Sequence, residues 1–296
     1  MRLDKNTMKQ NSMWKKANID IPLYNIDEMV CKTRENPTWI HFGAGNIFKG
    51  FIAALQNTLL NLNKAETGII VAETYDFEII EKIYTPYDNL SLLVLMNPDG
   101  SLNNCVVGSI TESLVGDTAY TSDWERLKSI FEKPSLQIAS FTITEKGYSL
   151  TDASDNYLED VKHDFDNGPS IPKHIISKIA SLAYLRYLKG ELPIAFVSVD
   201  NCSRNGEVLQ KSVETIVHKW IENGFAEDKF LDYLNNPSKV SFPWTMIDKI
   251  TPRPSEKVKA KLNETGFEST EIICTEKKTF IAPFVNAEVS QYLIIE

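Results

Sequence analysis

The sequence predicts a Rossmann-like α/β fold: a mostly parallel, doubly wound sheet with a hairpin insertion. Two observations predict it. A short apolar run, Thr38–Phe42, stops at Gly43 and is followed by apolar residues at Ile47, Phe51, Ala54, Leu55 and Leu59, which is helical spacing. A second apolar run then opens at Gly68 and ends in the acid Glu73, completing a strand–turn–helix–strand unit whose crossover is right-handed by default. Downstream, strand-like and helix-like segments go on alternating, as a parallel sheet covered on both faces requires.

The remaining elements follow in order. The stretch from Leu90 to Ile110 reads as two strands around an Asp99-Gly100 turn, the predicted hairpin. Thr121–Lys133 reads as a helix with a capping box in which Ser122 reaches Glu125. Leu136–Thr144 is a buried strand, about 171–188 a helix, Pro193–Asn201 another strand and Gly206–Glu222 a further helix. Ser290–Glu296 is strand-like up to the last residue, which suggests a chain cut from something longer. The expected organisation is a polar leader at 1–38 and a nucleotide-binding domain at 39–296.

Composition narrows the function classes. With 43% hydrophobic and 24% charged residues in 296, a core can form without disulfides. A formal net charge of -9 argues against a nucleic-acid surface, which selects clustered Lys and Arg. Cys31, Cys105, Cys202 and Cys274 form no Cys-x-x-Cys pair, so four reduced thiols are expected. The N-terminus lacks an apolar signal segment and no run is long enough to span a bilayer, so the cytoplasm is the default location and no membrane partner is expected. His41, His163, His174 and His218 show no zinc-ligand spacing, and no metal is implied. Oligomeric state is not legible in the sequence.

The chemistry concentrates in Gly43-Ala44-Gly45-Asn46-Ile47-Phe48. A first glycine permits a tight turn, and a second lets the backbone approach a pyrophosphate at a helix N-terminus. Phe48 stands where the general fingerprint has its third glycine. Glu73, at the end of the second strand, is where a carboxylate usually binds the adenosine ribose; a carboxylate there favours NAD over NADP. A phosphate-binding P-loop is excluded because Phe51 follows Gly50, and a Tyr-x3-Lys dehydrogenase because none of the eleven tyrosines has a lysine four places on. Two other readings stay open: a non-catalytic dinucleotide-binding module, and an α/β methyltransferase, whose glycine turn and strand-end acid are similar.

Four segments resemble the mannitol dehydrogenase family of polyol and hexuronate dehydrogenases: His41–Phe51, Thr142–Tyr148, Ser198–Leu209 and Phe242–Pro252. A fifth, Phe284–Glu296, looks like the family's Val-Asn-Ala-Glu stretch. The resemblance implies metal-independent hydride transfer between NAD(P) and a small polyol or sugar acid, of the mannitol/fructose or mannonate/fructuronate type. It implies that Asn201 hydrogen-bonds the reacting oxygen, that Asp248 grips substrate hydroxyls, and that Glu145 and Lys146 lie near the nicotinamide. The family's base lysine and its helical substrate domain lie beyond Glu296, so the chain alone is expected to bind cofactor and turn over poorly. By the residues alone, Asn201 could instead cap the following helix, Asp248 could pair with Lys249, and Lys146 could be ordinary turn chemistry.

Overall fold

The computed structural model describes residues 1–296. Its principal elements are β1 (Trp39–Phe42), α1 (Ala53–Asn61), β2 (Ile69–Glu73), β3 (Ser91–Met96), β4 (Leu102–Val107), β5 (Ile110–Val115) and α2 (Thr121–Phe131). Then come β6 (Ile138–Phe141), α3 (Thr144–Tyr148), α4 (Ile175–Leu188), β7 (Ile194–Ser198), α5 (Asn205–Glu222), β8 (Val240–Ser241) and β9 (Phe284–Glu288). They divide into two compact units, the first made of Met1–Leu114 and Asp248–Tyr292, the second of Val115–Ile247 and Leu293–Glu296.

In the first unit the strands run in the order β5-β2-β1, with β1 and β2 parallel and Ile40 opposite Ile70. Every residue of β2 is buried, the pattern of a strand covered on both faces. The helical run after β1 passes through a five-residue π-helical turn, Phe48–Ile52, before it becomes α1. Gly68 is required by close approach: a Cβ there would lie 2.3 Å from the carbonyl oxygen of Ser109.

The hairpin forms as the sequence suggests, β3 against β4, with Leu93 opposite Cys105. It does not join the parallel set. It builds a separate four-stranded sheet with Ile19–Asp20 on one side and β9 on the other, both edges parallel to their neighbours. The expected leader is folded into this region. Leu3, Met8, Trp14 and Ile19 share a core with Leu92, Val94, Leu262, Phe267 and Phe284. Nonpolar residues scattered among charges thus find their partners far along the chain, some of them more than two hundred positions later.

In the second unit β6, β7 and β8 lie side by side and parallel, Ser140 opposite Val197 and Ile194 opposite Val240. Helix α4 packs against both α2 and α5, and Leu127, Ile130, Ile179, Leu182, Val213 and Trp220 of these helices are buried. The guanidinium of Arg186, fully buried, donates to the carbonyls of Phe131, Lys133, Leu136 and Pro193 at 2.6–3.0 Å. The capping box expected in α2 does not form. Tyr120 occupies the cap position but its side chain does not cap the helix, and Asp123 instead accepts from the Val115 N–H at 2.7 Å. The final run is a strand, Tyr292–Ile295, and the Glu296 N–H bonds the Trp244 carbonyl. No helix is long and apolar enough to cross a membrane.

Candidate functional site

The first unit carries the glycine turn. Gly43 has φ 109°, a left-handed conformation that favours glycine, and its N–H bonds the Ala72 carbonyl at 2.9 Å. Ala44 is tied on both sides: its N–H donates to Glu73 Oε2 at 2.7 Å and its carbonyl accepts from the Tyr84 hydroxyl at 2.8 Å. Asn46 Nδ2 donates to the Phe280 carbonyl at 3.0 Å. The turn therefore has a fixed shape. Gly45, Asn46 and Ile47 start the helical run, where N–H groups have no preceding turn to bond.

Gly45 is unlike its neighbours. Its φ is ordinary, and a Cβ built on it would meet nothing within 4 Å. The protein's own packing does not demand glycine there. What a side chain would fill is open space beside a helix start, the room a pyrophosphate needs. The residues present thus fit a dinucleotide phosphate.

Phe48, in the slot of the third fingerprint glycine, is fully buried and stacks on His41 with ring centroids 4.5 Å apart and planes 13° from parallel. An aromatic contact between strand and helix here replaces the close backbone approach that glycine allows. Burial drives the His41 imidazole down to about 3, so it stays neutral in the core.

Glu73 lies at the end of β2, as expected, but it is buried and its carboxylate is engaged by backbone. Oε2 takes the Ala44 N–H; Oε1 takes those of Thr74, Tyr75 and Asp76 at 3.0, 2.8 and 3.2 Å. Burial pushes this carboxyl up from its ordinary range, opposed by the four N–H donors. Four donors fill the acceptor sites of a carboxylate. Glu73 thereby shapes the glycine turn.

Lys49 gave no functional signal in sequence and is the surprise of this unit. It is 1% exposed, and its ammonium donates to the Ala282 carbonyl at 2.7 Å with no carboxylate beside it. Burial pulls it down to about 7. Asp248 also belongs to the first unit and is exposed. It does not pair with Lys249, whose ammonium donates to the Glu288 carbonyl. The Arg253 guanidinium stacks over the Phe280 ring at 4.8 Å.

The second unit carries Asn201 on a loop and Glu145 and Lys146 on a short helix, all exposed, the two segments joined by one carboxylate. Strand β6 ends at Phe141, so Thr144–Tyr148 is a short helix of its own, α3, not the end of a strand. Thr144 has φ 62°, a costly conformation for a β-branched residue, about 1–3 kcal/mol. Asp200 holds it. Oδ2 accepts from the Ile143 N–H at 2.8 Å and the Tyr148 hydroxyl at 2.7 Å, and Oδ1 from the Thr144 N–H at 3.2 Å.

On the other side of Asn201, Asn205 is 1% exposed and joins the strand end to the Phe242–Ile247 segment. Its Nδ2 donates to the Asp200 carbonyl at 2.9 Å and to Thr245 Oγ1 at 2.8 Å, while its Oδ1 accepts from the Thr245 N–H at 2.9 Å. Gly206 lets α5 press onto the same segment: a Cβ there would stand 2.3 Å from the Phe242 oxygen. Asn201 does not cap α5, whose cap position is Arg204.

With this geometry in place, residues 37–283 match the family model described as the mannitol dehydrogenase Rossmann domain. The chain belongs to the mannitol dehydrogenase family. A D-mannonate oxidoreductase of Thermotoga maritima is 49% identical over 296 residues, all of this chain and 54% of that protein. A mannitol 2-dehydrogenase of Phaeosphaeria nodorum is 25% identical over 291 residues, 93% of this chain and 46% of the relative. Among solved structures, Pseudomonas fluorescens mannitol 2-dehydrogenase, in ternary complex with NAD and D-mannitol, matches with a TM-score of 0.78 at 22% identity, over 100% of this chain and 54% of that one. The likeness shows that this mannitol dehydrogenase family member has the same Rossmann-like fold. The chain spans about half the length of these relatives.

Proposed function

We propose that this chain is the cofactor-binding portion of an NAD-dependent oxidoreductase that interconverts a sugar acid of the mannonate class with its keto form. The observation that carries the reading is Gly45: a glycine at a helix start whose missing side chain leaves space that no protein atom uses. The 49% identity to a D-mannonate oxidoreductase supports the sugar acid over a neutral polyol such as mannitol.

In this reading the N–H groups of Gly45, Asn46 and Ile47 take the pyrophosphate of NAD. NAD, when bound, would supply the hydride acceptor for the oxidation of a secondary alcohol. Asn201 donates a carboxamide N–H to the reacting oxygen as alkoxide character develops. Asp248, an exposed carboxylate, accepts hydrogen bonds from substrate hydroxyls. Glu145 and Lys146 are the residues that would hold the nicotinamide. Glu73 acts one step removed, by fixing Ala44, so the reading of NAD over NADP is supported by the NAD in the complex of the Pseudomonas fluorescens neighbour and no longer by a ribose carboxylate.

The test is a binding experiment. NADH is titrated into the 296-residue protein with energy transfer from tryptophan to nicotinamide as the signal, and NADPH is titrated in parallel. Saturable NADH binding is expected. Gly45→Ala should fold as well as the parent, gaining up to about 1 kcal/mol from a stiffer unfolded chain, and should lose NADH affinity by tenfold or more, about 1.4 kcal/mol. Undiminished NADH binding by Gly45→Ala would remove the basis of the proposal.

A further inference from the structure

We propose that Asp200 is a positioning residue: its carboxylate holds the left-handed turn at Thr144, and with it Glu145 and Lys146, against the loop that carries Asn201. The inference deepens the functional reading above and rests on it for the roles of those three residues. Several observations converge on Asp200. The carboxylate's bonds go to the Ile143 and Thr144 N–H groups and the Tyr148 hydroxyl, so three of its roughly four acceptor sites are used within the protein. Ile143 and Thr144 lie immediately before Glu145, so the bonds act at the root of the short helix that presents the pair.

The strand end itself is held. Ser198 Oγ lies 2.7 Å from the Tyr148 hydroxyl, which in turn donates to Asp200, a chain of polar groups in which each fixes the next. The Ser198 carbonyl accepts from Thr245 Oγ1 at 2.6 Å, and the Asp200 carbonyl accepts from Asn205. Asp200 is therefore anchored through its backbone on one side and reaches the Thr144 turn with its side chain on the other. A residue in the left-handed region persists only where surrounding bonds over-determine it, and such strain gathers at working sites. Gly147 completes the turn: a Cβ there would lie 2.9–3.1 Å from the Ile143 side chain, so α3 folds back directly on the residue that Asp200 holds.

The charged and titratable groups facing Asp200 are Tyr148, Glu145 and Cys202. Burial raises the carboxyl above its ordinary range and Glu145 adds to this, while the Tyr148, Ile143 and Thr144 donors oppose it.

Two readouts test the inference on the 296-residue protein: amide hydrogen exchange at Ile143 and Thr144 between about pH 4 and 8, and NADH affinity. In the parent, protection of these amides should fall as Asp200 takes up its proton. Asp200→Asn should lose that protection across the range and bind NADH about tenfold more weakly, the loss of roughly one charge-assisted hydrogen bond. Tyr148→Phe keeps both amide bonds but removes a donor from the carboxylate, so its protection midpoint should move to higher pH.

Parent-like protection and NADH affinity in Asp200→Asn would overturn the proposal. If that variant does not fold, an unmoved midpoint in Tyr148→Phe would do so. A parent protein that fails to bind NADH counts against the functional reading alone, and the exchange profile then still decides the clamp.

Discussion

Replacing Lys49 with methionine should make the protein more stable at neutral pH and flatten its stability at higher pH. The ammonium is 1% exposed and has one acceptor, the Ala282 carbonyl at 2.7 Å. Its fall from 10.5 to about 7 is equivalent to about 5 kcal/mol at 1.36 kcal/mol per pH unit. The unfolded chain binds the proton up to about 10.5 and the folded one only up to about 7. The penalty is therefore complete below about pH 7 and shrinks as pH rises through the interval, so stability climbs with pH there.

From pH 7 to 9 this one group should contribute a gain of about 2 kcal/mol. Methionine removes the buried charge at similar length but leaves the Ala282 carbonyl without its donor, a cost of about 1–3 kcal/mol. The balance at pH 7 is a net stabilisation of about 1–3 kcal/mol, several degrees in Tm. Urea unfolding of both proteins at pH 7 and pH 9 reads the difference directly. Parallel stabilities at the two pH values would refute the reasoning, since every other group is common to both proteins.

Two further substitutions probe other contacts. Gly206→Ala puts a methyl 2.3 Å from the Phe242 oxygen and 2.5 Å from the Pro243 oxygen, both backbone, so the helix must lift off the segment. A loss of about 1–3 kcal/mol is expected, and a Tm equal to the parent's would show that the segment yields freely. Glu73→Gln turns an N–H₂ towards one of the four backbone donors and should loosen Ala44, weakening NADH and NADPH together. A change in the ratio of the two affinities in favour of NADPH would instead put the carboxylate on the ribose.

Much of the framework was legible because it rests on local signals. Strands at Trp39–Phe42 and Ile69–Glu73 and helices at Thr121–Phe131 and Asn205–Glu222 lie within a residue or two of the sequence expectation at most ends, since apolar runs, turn glycines and helical spacing are properties of short windows. The capping box failed on one residue of register: the helix starts at Thr121, which puts Ser122 inside it and frees Asp123 for Val115. Lys49 and the leader were missed for a different reason. Lysine reads as a surface residue, and nothing near position 49 tells of a carbonyl at Ala282; Trp14 likewise has its aromatic partner at Phe267. The Asn201 loop was found through resemblance, yet the carboxylate that shapes it depends on Ile143 and Thr144, some sixty positions earlier in the chain, which no local pattern announces.

The two loops and the glycine turn share one logic. Polar groups that face the protein are spent on holding shape: Ala44 N–H and C=O, Glu73, Asp200, Asn205. Other side chains make no hydrogen bond of their own: Asn201, whose sequence neighbours Asp200 and Asn205 are bonded, in the second unit, and the exposed Asp248 in the first. A loop that served only to connect elements would have no reason to fix its backbone so firmly while leaving a carboxamide and a carboxylate unspent, because ordering costs conformational entropy whether or not the tips are used. Fixed roots with unspent tips are what binding a polar ligand requires, since preorganised donors and acceptors need no rearrangement when it arrives.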